Sequence, residues 1–375
     1  MSANIQKLGM PKWGLSMTQG RLLEWLVDEG AELAAGDEVA EVETEKLNGV
    51  VEAPVAGILR RRVAAEGDVV PVGGLLGVIA DADVPDADID AFVAEFEASF
   101  VPEQAEEETG PATETVTVAV GTLRFLRTGE GGEPLILLHG FGGDLDNWLF
   151  NVEPLAADRA VYALDLPGHG GSTKQVGDGE SGFLVTALRG FLDSQGIERA
   201  HLAGHSMGGL VAAALACEDP GRVLSLTLVD SAGLGPEINR DYIEGFVASS
   251  NRRELRPVLH RLFADPDLVT RQMIDNVLKY KRLDGVQEAL RALADRLFAD
   301  GRQQRVLTDE LRDLRSPTLV IWGNLDQVIP VEHLSAAPAR AETKLLPGSG
   351  HSPHMEAAGD FNRTLEGFLT GVRTG

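Results

Sequence analysis

The chain has 375 residues, 43% of them hydrophobic, which is long enough for two domains and apolar enough for a sizeable buried core. Its 58 acidic residues outnumber 33 basic ones and give a formal net charge of −25, which argues against non-specific binding to nucleic acid or to anionic membranes. Any phosphate-bearing ligand would need a locally basic site.

The start of the chain and its cysteine content indicate a compartment. Residues 1–14 lack a basic stretch followed by a long apolar run, and no later segment is apolar enough to span a bilayer. Cys217 is the only cysteine, so no intrachain disulfide can form, as suits a reducing environment. We therefore expect a soluble, cytoplasmic protein.

The first eighty residues, 1–80, contain an internal repeat with an offset of 37 residues. Short β-rich segments that are punctuated by glycine and repeated once predict two similar sheets packed around a pseudo-two-fold axis. Apolar residues match apolar residues, and glycines match glycines. The matching pairs are Gly20 with Gly57, Leu22 with Leu59, Leu26 with Val63, Gly30 with Gly67, Leu33 with Val70, Gly36 with Gly73, Val39 with Leu76 and Val42 with Ile79.

Residues 42–53, between the two copies, are predicted to form a hairpin with a polar tip that ends in Gly49. Lys46 should project into solvent from this tip. An ordinary solvated lysine is the simplest interpretation. The alternative is that an enzyme recognises the lysine by its position midway between two equivalent sheets and attaches a prosthetic group; no methionine flanks it, which weakens a biotin interpretation.

Residues 81–114 are predicted to be an acidic, flexible interdomain linker. They contain twelve acidic residues and no lysine or arginine, so charge repulsion favours an open conformation. Apolar residues at helical spacing predict a short amphipathic helix within the linker, which docks either on the neighbouring domain or on a partner protein. These residues are Ile89, Phe92, Val93, Phe96 and Phe100.

Residues 115–375 repeat a pattern of strand, loop and helix that predicts an α/β domain with a largely parallel sheet. Residues 235–314 interrupt this pattern with helical periodicity and are predicted to form an inserted cap. The strands are predicted at residues 117–120, 123–127, 135–138, 161–164, 200–203, 223–229, 318–321 and 343–346.

Ser206 stands at the centre of Gly204-His205-Ser206-Met207-Gly208, between a short strand and a helix of small residues. This is the context of a nucleophile elbow, a sharp turn that presents a serine at its apex. The ordinary alternative is a glycine-rich turn whose serine caps the helix. A serine hydroxyl becomes a good nucleophile only when a base accepts its proton and a third group orients the base.

Asp326 and His351 follow the last two predicted strands, so both emerge at the carboxyl edge of the sheet beside Ser206. They complete a candidate triad in the order serine, acid, histidine. Asp230 also ends a strand and is a rival for the acid, and His354 is a close neighbour that could begin the final helix instead.

His139-Gly140-Phe141-Gly142-Gly143 follows the strand predicted at 135–138, where a loop can aim backbone N–H groups at a developing oxyanion. Phe141 and Met207 are the expected donors. His139 and His205 lack metal-ligand spacing and are interpreted as structural, and no metal site is predicted.

Two basic runs stand out in the predicted cap of this acidic chain. They could bind the phosphates of a cosubstrate, or they could be a solvated helix face paired with acidic residues of the cap. The first run holds the candidates Arg252, Arg253 and Arg256 together with His260 and Arg261, and the second holds Lys279, Lys281 and Arg282.

The two halves resemble two known families. Residues 1–80 resemble the lipoyl domains of the dihydrolipoyl acyltransferases of 2-oxo acid dehydrogenase complexes, in which Lys46 aligns with the lipoylated lysine. From about Thr115 the chain resembles an α/β-hydrolase with every triad element present. The resemblance implies a multidomain fold, an all-β lipoyl (biotinyl/lipoyl-type) domain plus an α/β-hydrolase domain with a helical cap. The residues that carry the lipoyl likeness are Met10-Pro11, Glu45-Lys46 and Glu52-Ala53-Pro54, with Glu45 where those domains more often have aspartate.

The combination resembles the acetyltransferase components of bacterial acetoin dehydrogenase complexes. This resemblance implies lipoate bound covalently to Lys46, and coenzyme A as cosubstrate. The partners it implies are a thiamine-diphosphate-dependent acetoin dehydrogenase component, dihydrolipoamide dehydrogenase, and a lipoate ligase or lipoyl transferase. The usual acyltransferase motif His-x-x-x-Asp-Gly and a recognisable subunit-binding domain are absent from the sequence, so we expect the helix around Phe92 and Phe96 to bind another component.

The leading hypothesis is therefore acetyl transfer from the dihydrolipoyl arm to Ser206 and from there to coenzyme A. One alternative is a thioesterase or esterase, in which water collects the acyl group. Another is a lipoyl carrier whose hydrolase-like domain is only a scaffold.

Overall fold

The computed structural model describes residues 5–11, 19–43, 48–100 and 113–373. Contacts divide the chain into two compact units, residues 1–110 and residues 111–375. Each unit has its own apolar core.

The first unit is built from two four-stranded sheets with the orders β1-β8-β6-β3 and β5-β4-β2-β7. Replacing each strand by the one four places away converts one order into the other, so the 37-residue repeat is a structural repeat. The strands are β1 Ile5–Gly9, β2 Gln19–Trp25, β3 Glu32–Leu33, β4 Glu38–Glu43, β5 Asn48–Glu52, β6 Gly57–Arg62, β7 Val69–Pro71 and β8 Leu75–Ala80.

The repeated glycines occupy equivalent turns. Gly30 and Gly67 have φ of 90° and 93°, and Gly36 and Gly73 have φ of 94° and 78°. These left-handed conformations strain any residue with a Cβ. The repeat therefore preserves glycine wherever both sheets need the same turn.

Helix α1, Asp86–Ser99, lies within the acidic segment and packs against the first unit. Ile89 is fully buried with Leu75 and Val78 of β8, and the side chains of Phe92 and Phe96 contact the same cluster. Of the two docking modes left open by the sequence, the helix therefore takes the neighbouring domain. Within the apolar stripe expected to bind another complex component, Ile89 is buried, whereas Phe92 and Phe96 are only partly buried.

Arginines of β6 explain why charge repulsion does not hold residues 81–100 open. Arg60 pairs with Asp86 at 2.7 Å, and Arg61 pairs with Asp90 at 2.7 Å. These acidic residues of the helix thus pair with cations of the sheet. A count of the charges within the linker segment does not include these cations. Residues 101–112 lie outside the described residues.

The second unit contains a sheet of eight strands, and helices cover both of its faces. The strand order is β16-β15-β14-β13-β11-β12-β10-β9. Strands β11 to β16 pair in parallel, whereas β9 and β10 are antiparallel to their neighbours. The strands are β9 Thr113–Val118, β10 Gly121–Thr128, β11 Leu135–Leu138, β12 Val161–Leu164, β13 Ala200–His205, β14 Val223–Val229, β15 Thr318–Gly323 and β16 Glu342–Leu346.

Helices cover both faces of this sheet, as continuous apolar parallel strands require. Leu135 and Leu137 of β11 join the core beneath α2 and α11, while Ile136 and Leu138 join the core beneath α3 and α4. The flanking helices are α2 Leu149–Leu155, α3 Ser181–Ser194, α4 Met207–Glu218, α10 Pro353–Glu356 and α11 Ala358–Arg373.

A helical insertion lies between β14 and β15, where the sequence predicts a cap. Its core side chains join the core of the α3 and α4 face. Its helices are α5 Arg240–Ala248, α6 Arg252–Leu259, α7 Arg271–Lys281, α8 Val286–Leu297 and α9 Thr308–Arg312. One strand departs from the prediction: 117–120 is not a strand throughout, because Gly121 pairs with Val118 and residues 119–120 form the turn between β9 and β10.

The described part of the chain has no helix that is both long enough and apolar enough to cross a bilayer.

Candidate active site

Ser206 lies in the turn between β13 and α4 with a left-handed φ of 52°. Its N–H donates to the carbonyl of Val229 at 2.9 Å, and its carbonyl accepts from Ala232 at 3.1 Å. A Cβ on Gly204 would stand 2.3 Å from the carbonyl oxygen of Gly208, so only glycine permits the strand and helix to approach this closely. The motif therefore forms a nucleophile elbow, and the strain is concentrated at the serine.

His351 and Asp326 are joined by a hydrogen bond from the imidazole Nδ1–H to the carboxylate Oδ2 at 2.8 Å. Both side chains are buried, with 1% and 0% of their surface exposed. Asp326 also accepts hydrogen bonds from the backbone of Val328 and Ile329 and from the indole of Trp322. A base held by a buried, fully hydrogen-bonded carboxylate is the arrangement that activates a serine.

His354 does not take the place of His351. It is fully buried, neither ring nitrogen has a hydrogen-bond partner, and its ring lies 4.4 Å from that of Trp148. Burial and the nearby His351 lower the pKa of His354 to about 3. This neutral imidazole behaves as an aromatic packing residue beneath the site.

His205 supports the histidine loop from below. Its Nε2–H donates to the carbonyl of His351 at 2.7 Å, and the two rings lie 4.8 Å apart. Burial lowers the pKa of His205 well below its ordinary value, so the ring is neutral. The hydrogen bond of His205 holds the backbone of the His351 loop in place.

Within the loop of residues 139–143, the amides of Gly142 and Gly143 donate to acceptors of the protein. The N–H of Gly142 is occupied, because it donates to Nε2 of His169 at 3.0 Å. His139 fixes the loop by accepting from the N–H of Leu166 at 3.0 Å and donating to the carbonyl of Gly140 at 2.8 Å. The N–H groups of Phe141 and Met207 donate to no protein acceptor among the described residues. The N–H of Gly140 likewise has no such acceptor, and the assignment of Phe141 and Met207 as oxyanion donors stays a prediction.

The chain matches two family models, one described as the alpha/beta hydrolase fold over residues 133–358 and the other as biotin-requiring enzyme over residues 6–79. It is 49% identical over 371 residues to the dihydrolipoyllysine-residue acetyltransferase component of the acetoin cleaving system from Cupriavidus necator, covering 99% of both chains. It is 50% identical over 374 residues to the component of the same name from Pseudomonas putida, covering 98% of this chain and 99% of that one.

The chain belongs to this acetyltransferase family. Two less similar proteins cover about two thirds of this chain. A 2-hydroxy-6-oxononadienedioate/2-hydroxy-6-oxononatrienedioate hydrolase from Paraburkholderia xenovorans is 32% identical and covers 66% of this chain and 90% of its own length. The crystal structure of a meta-cleavage product hydrolase from Pseudomonas fluorescens is 25% identical with a TM-score of 0.63, covering 69% of this chain and 97% of that one.

A cavity of about 80 Å³ opens onto Ser206 in this member of the acetyltransferase family. Its wall is mostly apolar, and no aspartate, glutamate, lysine or arginine is among the residues described as lining it. The wall consists of Gly140, Phe141, Gly142, Gly143, Asn147, His205, Ser206, Tyr242, Phe246, Leu259, Leu262, Phe263, Met273, Val277, His351, Ser352, His354 and Met355.

Two residues that tie the cap to the site escaped sequence reasoning. The Tyr242 hydroxyl donates to the carbonyl of Phe141 at 3.2 Å. Glu356 accepts from the N–H of Gly350 at 2.8 Å and from the N–H of Ala264 in the cap at 2.7 Å, so one carboxylate joins the cap to the His351 loop. No sequence motif marks either residue, because each acts through contacts between distant segments.

The cap arginines differ in their environment. Arg252 forms two hydrogen bonds with Asp275 of α7, at 2.6 and 3.1 Å, so it is partly committed to the structure of the cap. Arg253 and Arg256 are exposed on α6, and no ion pair of either residue is found in the described part of the chain.

Lys281 of the second basic run is buried and does not belong to a phosphate-binding surface. Its Nζ donates to the carbonyls of Phe246 and Ser249 at the end of α5, and burial lowers its pKa to about 8.

Lys46 lies outside the described residues, as do residues 44–47 together. The strands on either side are described, and they pair antiparallel with Glu43 opposite Asn48.

Proposed function

We propose that the chain transfers an acetyl group from a dihydrolipoyl-lysine arm to coenzyme A in acetoin breakdown, and that the transfer passes through an acyl ester on Ser206. The acetyltransferase activity is the one named for its full-length relatives. The observation that supports the acyl-serine route is the hydrogen bond of 2.8 Å between His351 and Asp326, because His351 and Ser206 both line the cavity.

In the first half-reaction, the Ser206 oxygen attacks the carbonyl carbon of the acetyl thioester while His351 accepts the serine proton. The carbon–sulfur bond then breaks, and the departing thiolate takes the proton from His351. Asp326 keeps the imidazole oriented through its Nδ1–H and stabilises the imidazolium that forms between the two proton transfers.

The second half-reaction is the same sequence in reverse with a new thiol. His351 accepts the proton of the coenzyme A thiol, the sulfur attacks the acyl-serine carbonyl, and the Ser206 oxygen leaves with the proton. A thioester is consumed and a thioester is made, so the exchange is nearly balanced in free energy. Exclusion of water from the acyl ester then decides the product.

The negative charge that develops on the acetyl oxygen would be stabilised by the backbone N–H groups of Phe141 and Met207. One donor of this kind lowers the activation free energy by about 2.7–4 kcal/mol. Both groups are already fixed by the folded chain, Phe141 through Tyr242 and Met207 as the first residue of α4. No reorganisation is required when the charge appears.

Lys46 would carry the lipoyl group, which supplies a thiol that holds the acetyl group as a thioester. The described flanking strands of the biotin/lipoyl-type unit agree with this assignment, since β4 and β5 bring Glu43 and Asn48 together on either side of residues 44–47. The names of the relatives refer to a cleaving system, which implies further components. We propose a thiamine-diphosphate-dependent dehydrogenase and dihydrolipoamide dehydrogenase as these, and a lipoate ligase or lipoyl transferase as the modifying enzyme.

Hydrolysis is the second candidate, and the likeness of the second unit to hydrolases favours it. The relative from Paraburkholderia xenovorans is named for a dioate, a substrate with two carboxylates. No lysine or arginine is among the residues described as lining the cavity near Ser206, so the site does not suit such a substrate. An acetyl group is small and neutral, and it needs no cationic partner.

The deciding experiment measures acetate and acetyl-coenzyme A from the acetylated, lipoylated full chain with and without coenzyme A. We expect acetyl-coenzyme A as the main product, and slow acetate release when coenzyme A is omitted. Equal acetate release in both conditions would show a hydrolase. Ser206→Ala should reduce transfer by about 10⁴-fold or more. Unchanged transfer in that variant would leave the hydrolase-like unit as a scaffold.

A further inference from the structure

A second carboxyl group is buried beside the carboxylate of the triad. Asp230 directly follows β14, is fully buried and has a left-handed φ of 43°. One ligating atom from each of Asp230, Asp326 and His351 lies within 4.8 Å of the others. This cluster contains two acids for one imidazole.

The two carboxyl groups have different hydrogen-bonding partners. Asp326 accepts hydrogen bonds on both oxygens, from Val328 and Ile329 on Oδ1 and from Trp322 and His351 on Oδ2. Four donors are the surroundings that suit an ionised carboxylate.

Asp230 has a single donor. Its Oδ1 accepts from the N–H of Gly323 at 2.9 Å, while no donor among the described residues reaches its buried Oδ2, and the side chain lies within hydrogen-bond range of Asp326. An unpaired oxygen of an ionised carboxylate would be strongly destabilising at such a position, whereas a protonated oxygen has a hydrogen to donate.

Burial and the negative charge of Asp326 raise the pKa of Asp230 well above its ordinary value. Two buried carboxyl groups at this separation do not both ionise, because the repulsion between them is not screened by water. Since the Oδ1 of Asp230 accepts a hydrogen bond, its proton belongs on Oδ2.

We propose that Asp230 is a positioning residue for the triad, and that as a neutral acid it holds Asp326 and serves as a reserve acid for His351. The inference rests on the proposed acyl-serine route. When Asp326 carries its charge, Asp230 donates a hydrogen bond to it. When Asp326 is replaced by asparagine, Asp230 ionises and provides the negative charge beside His351.

The sheet explains how two acids reach one histidine. Strands β14 and β15 are parallel neighbours, and Val229 pairs with Ile321 at their carboxyl ends. Asp230 is the first residue after β14, and its bond to Gly323 fixes it to the last residue of β15. The left-handed backbone at Asp230 is a strained conformation of the kind that persists where the surroundings determine it.

A double-mutant cycle in the full-length chain tests the proposal, with cleavage of p-nitrophenyl acetate and acetyl transfer to coenzyme A as readouts. The four proteins are the wild type, Asp230→Asn, Asp326→Asn and the double variant. In the wild-type background Asp230→Asn should lower kcat by only about threefold, because an amide donates as a protonated acid does. In the Asp326→Asn background the same change should lower kcat by about 100-fold, since no acid remains to orient the histidine.

An equal effect of Asp230→Asn in both backgrounds would overturn the proposal. Asp230→Ala gives a second measurement, in which kcat should fall by about tenfold and Asp230→Asn should recover most of that loss. If Asn and Ala are equally impaired, an amide donor at position 230 does not hold Asp326 and the proposal is wrong. Asp300→Ala is the matched control, because Asp300 is exposed in the cap and has a similar φ of 53°.

Failure of the proposed function has a separate signature. Unchanged acetyl transfer in Ser206→Ala would remove the acyl-serine route and this inference with it. An inactive Ser206→Ala combined with additive effects of Asp230→Asn and Asp326→Asn would overturn the role of Asp230 alone.

Discussion

Asp144 directly follows the loop of residues 139–143 and lies in a cluster of acidic residues. Its carboxylate accepts from the N–H of Asp146 at 3.1 Å and begins the short helical turn that follows. The buried Asp165 nearby binds Arg124 and the N–H of Leu145. Burial, and then the charges of Asp165 and Asp146, raise the pKa of Asp144 to about 7. The charge of Asp144 is therefore unfavourable in the folded protein at neutral pH.

Asp144→Asn should stabilise the protein in a pH-dependent way. Asparagine keeps the capping acceptor but carries no charge. Because the folded-state pKa of about 7 exceeds the ordinary 3.8, the folded protein binds more protons than the unfolded chain between these values, and Asp144 reduces stability as pH rises. The advantage of the variant should grow from about pH 4 to pH 7 and stay constant above it, at on the order of 1 kcal/mol after allowance for partial exposure.

Chemical denaturation at several pH values measures this difference. Asp178→Asn is the control, because Asp178 is an exposed turn aspartate that accepts a comparable hydrogen bond from the N–H of Glu180 at 3.0 Å. Its effect should stay within about 0.5 kcal/mol. A stability difference for Asp144→Asn that does not change with pH would show that the charge of Asp144 has no cost in the fold.

Helix α6 faces two environments. Leu259 contributes to the cavity wall, while Arg253 and Arg256 are exposed on the same helix. In a chain with a net charge of −25, two exposed cations one turn apart form a locally basic surface close to the cavity wall. We propose that they bind the phosphates of coenzyme A, with Arg252 contributing less because Asp275 holds it.

Replacing Arg253 and Arg256 together by glutamate should raise the KM for coenzyme A by about tenfold, which corresponds to a loss of about 1.4 kcal/mol from exposed ion pairs. Cleavage of p-nitrophenyl acetate should not change, because that ester lacks phosphates. Arg291→Glu changes an exposed arginine on α8 and provides the control. An unchanged KM for coenzyme A in the double variant would place the phosphate site elsewhere.

At the scale of secondary-structure elements, the local hydrophobic pattern of the sequence predicts the buried strands of the sheet. The buried runs of β11 and β12 match their predicted bounds because strands covered on both faces leave a continuous apolar signature. Strand β14 also matches its predicted bounds, although Ser225 and Thr227 interrupt its apolar run. The sequence predicts that Ser206, Asp326 and His351 lie close together, because each follows a strand and the carboxyl ends of parallel strands share one edge of the sheet. The structure joins Asp326 to His351 by a hydrogen bond, and His351 and Ser206 line the same cavity.

Features that depend on contacts between distant segments could not be predicted in the same way. The periodicity of α1 indicates an apolar stripe, but the sequence does not say that Ile89 packs against β8 or that Arg60 pairs with Asp86. Asp230 could be identified only as a rival to Asp326. The role that we propose for Asp230 depends on the N–H of Gly323 and on burial, which are properties of the assembled sheet.

At the scale of the whole molecule, one chain combines a biotin/lipoyl-type unit with an α/β-hydrolase unit, and the relative from Cupriavidus necator aligns with this chain over 99% of its length. The proposed carrier residue and the proposed nucleophile lie 160 positions apart in sequence, at Lys46 and Ser206. A single substitution can therefore remove the carrier function while the catalytic unit stays intact.

Lys46→Arg should lack the mass increment of a lipoyl group in the intact protein and should lose acetylation by the dehydrogenase component. It should keep wild-type transfer from free S-acetyl-dihydrolipoamide to coenzyme A, because Ser206, His351 and Asp326 belong to the other unit. Lys7→Arg, an exposed lysine of β1, is the matched control and should keep the increment. A lipoyl increment that persists in Lys46→Arg would place the attachment elsewhere. Loss of transfer from the free substrate would show that Lys46 acts in the chemistry at Ser206 as well as in delivery.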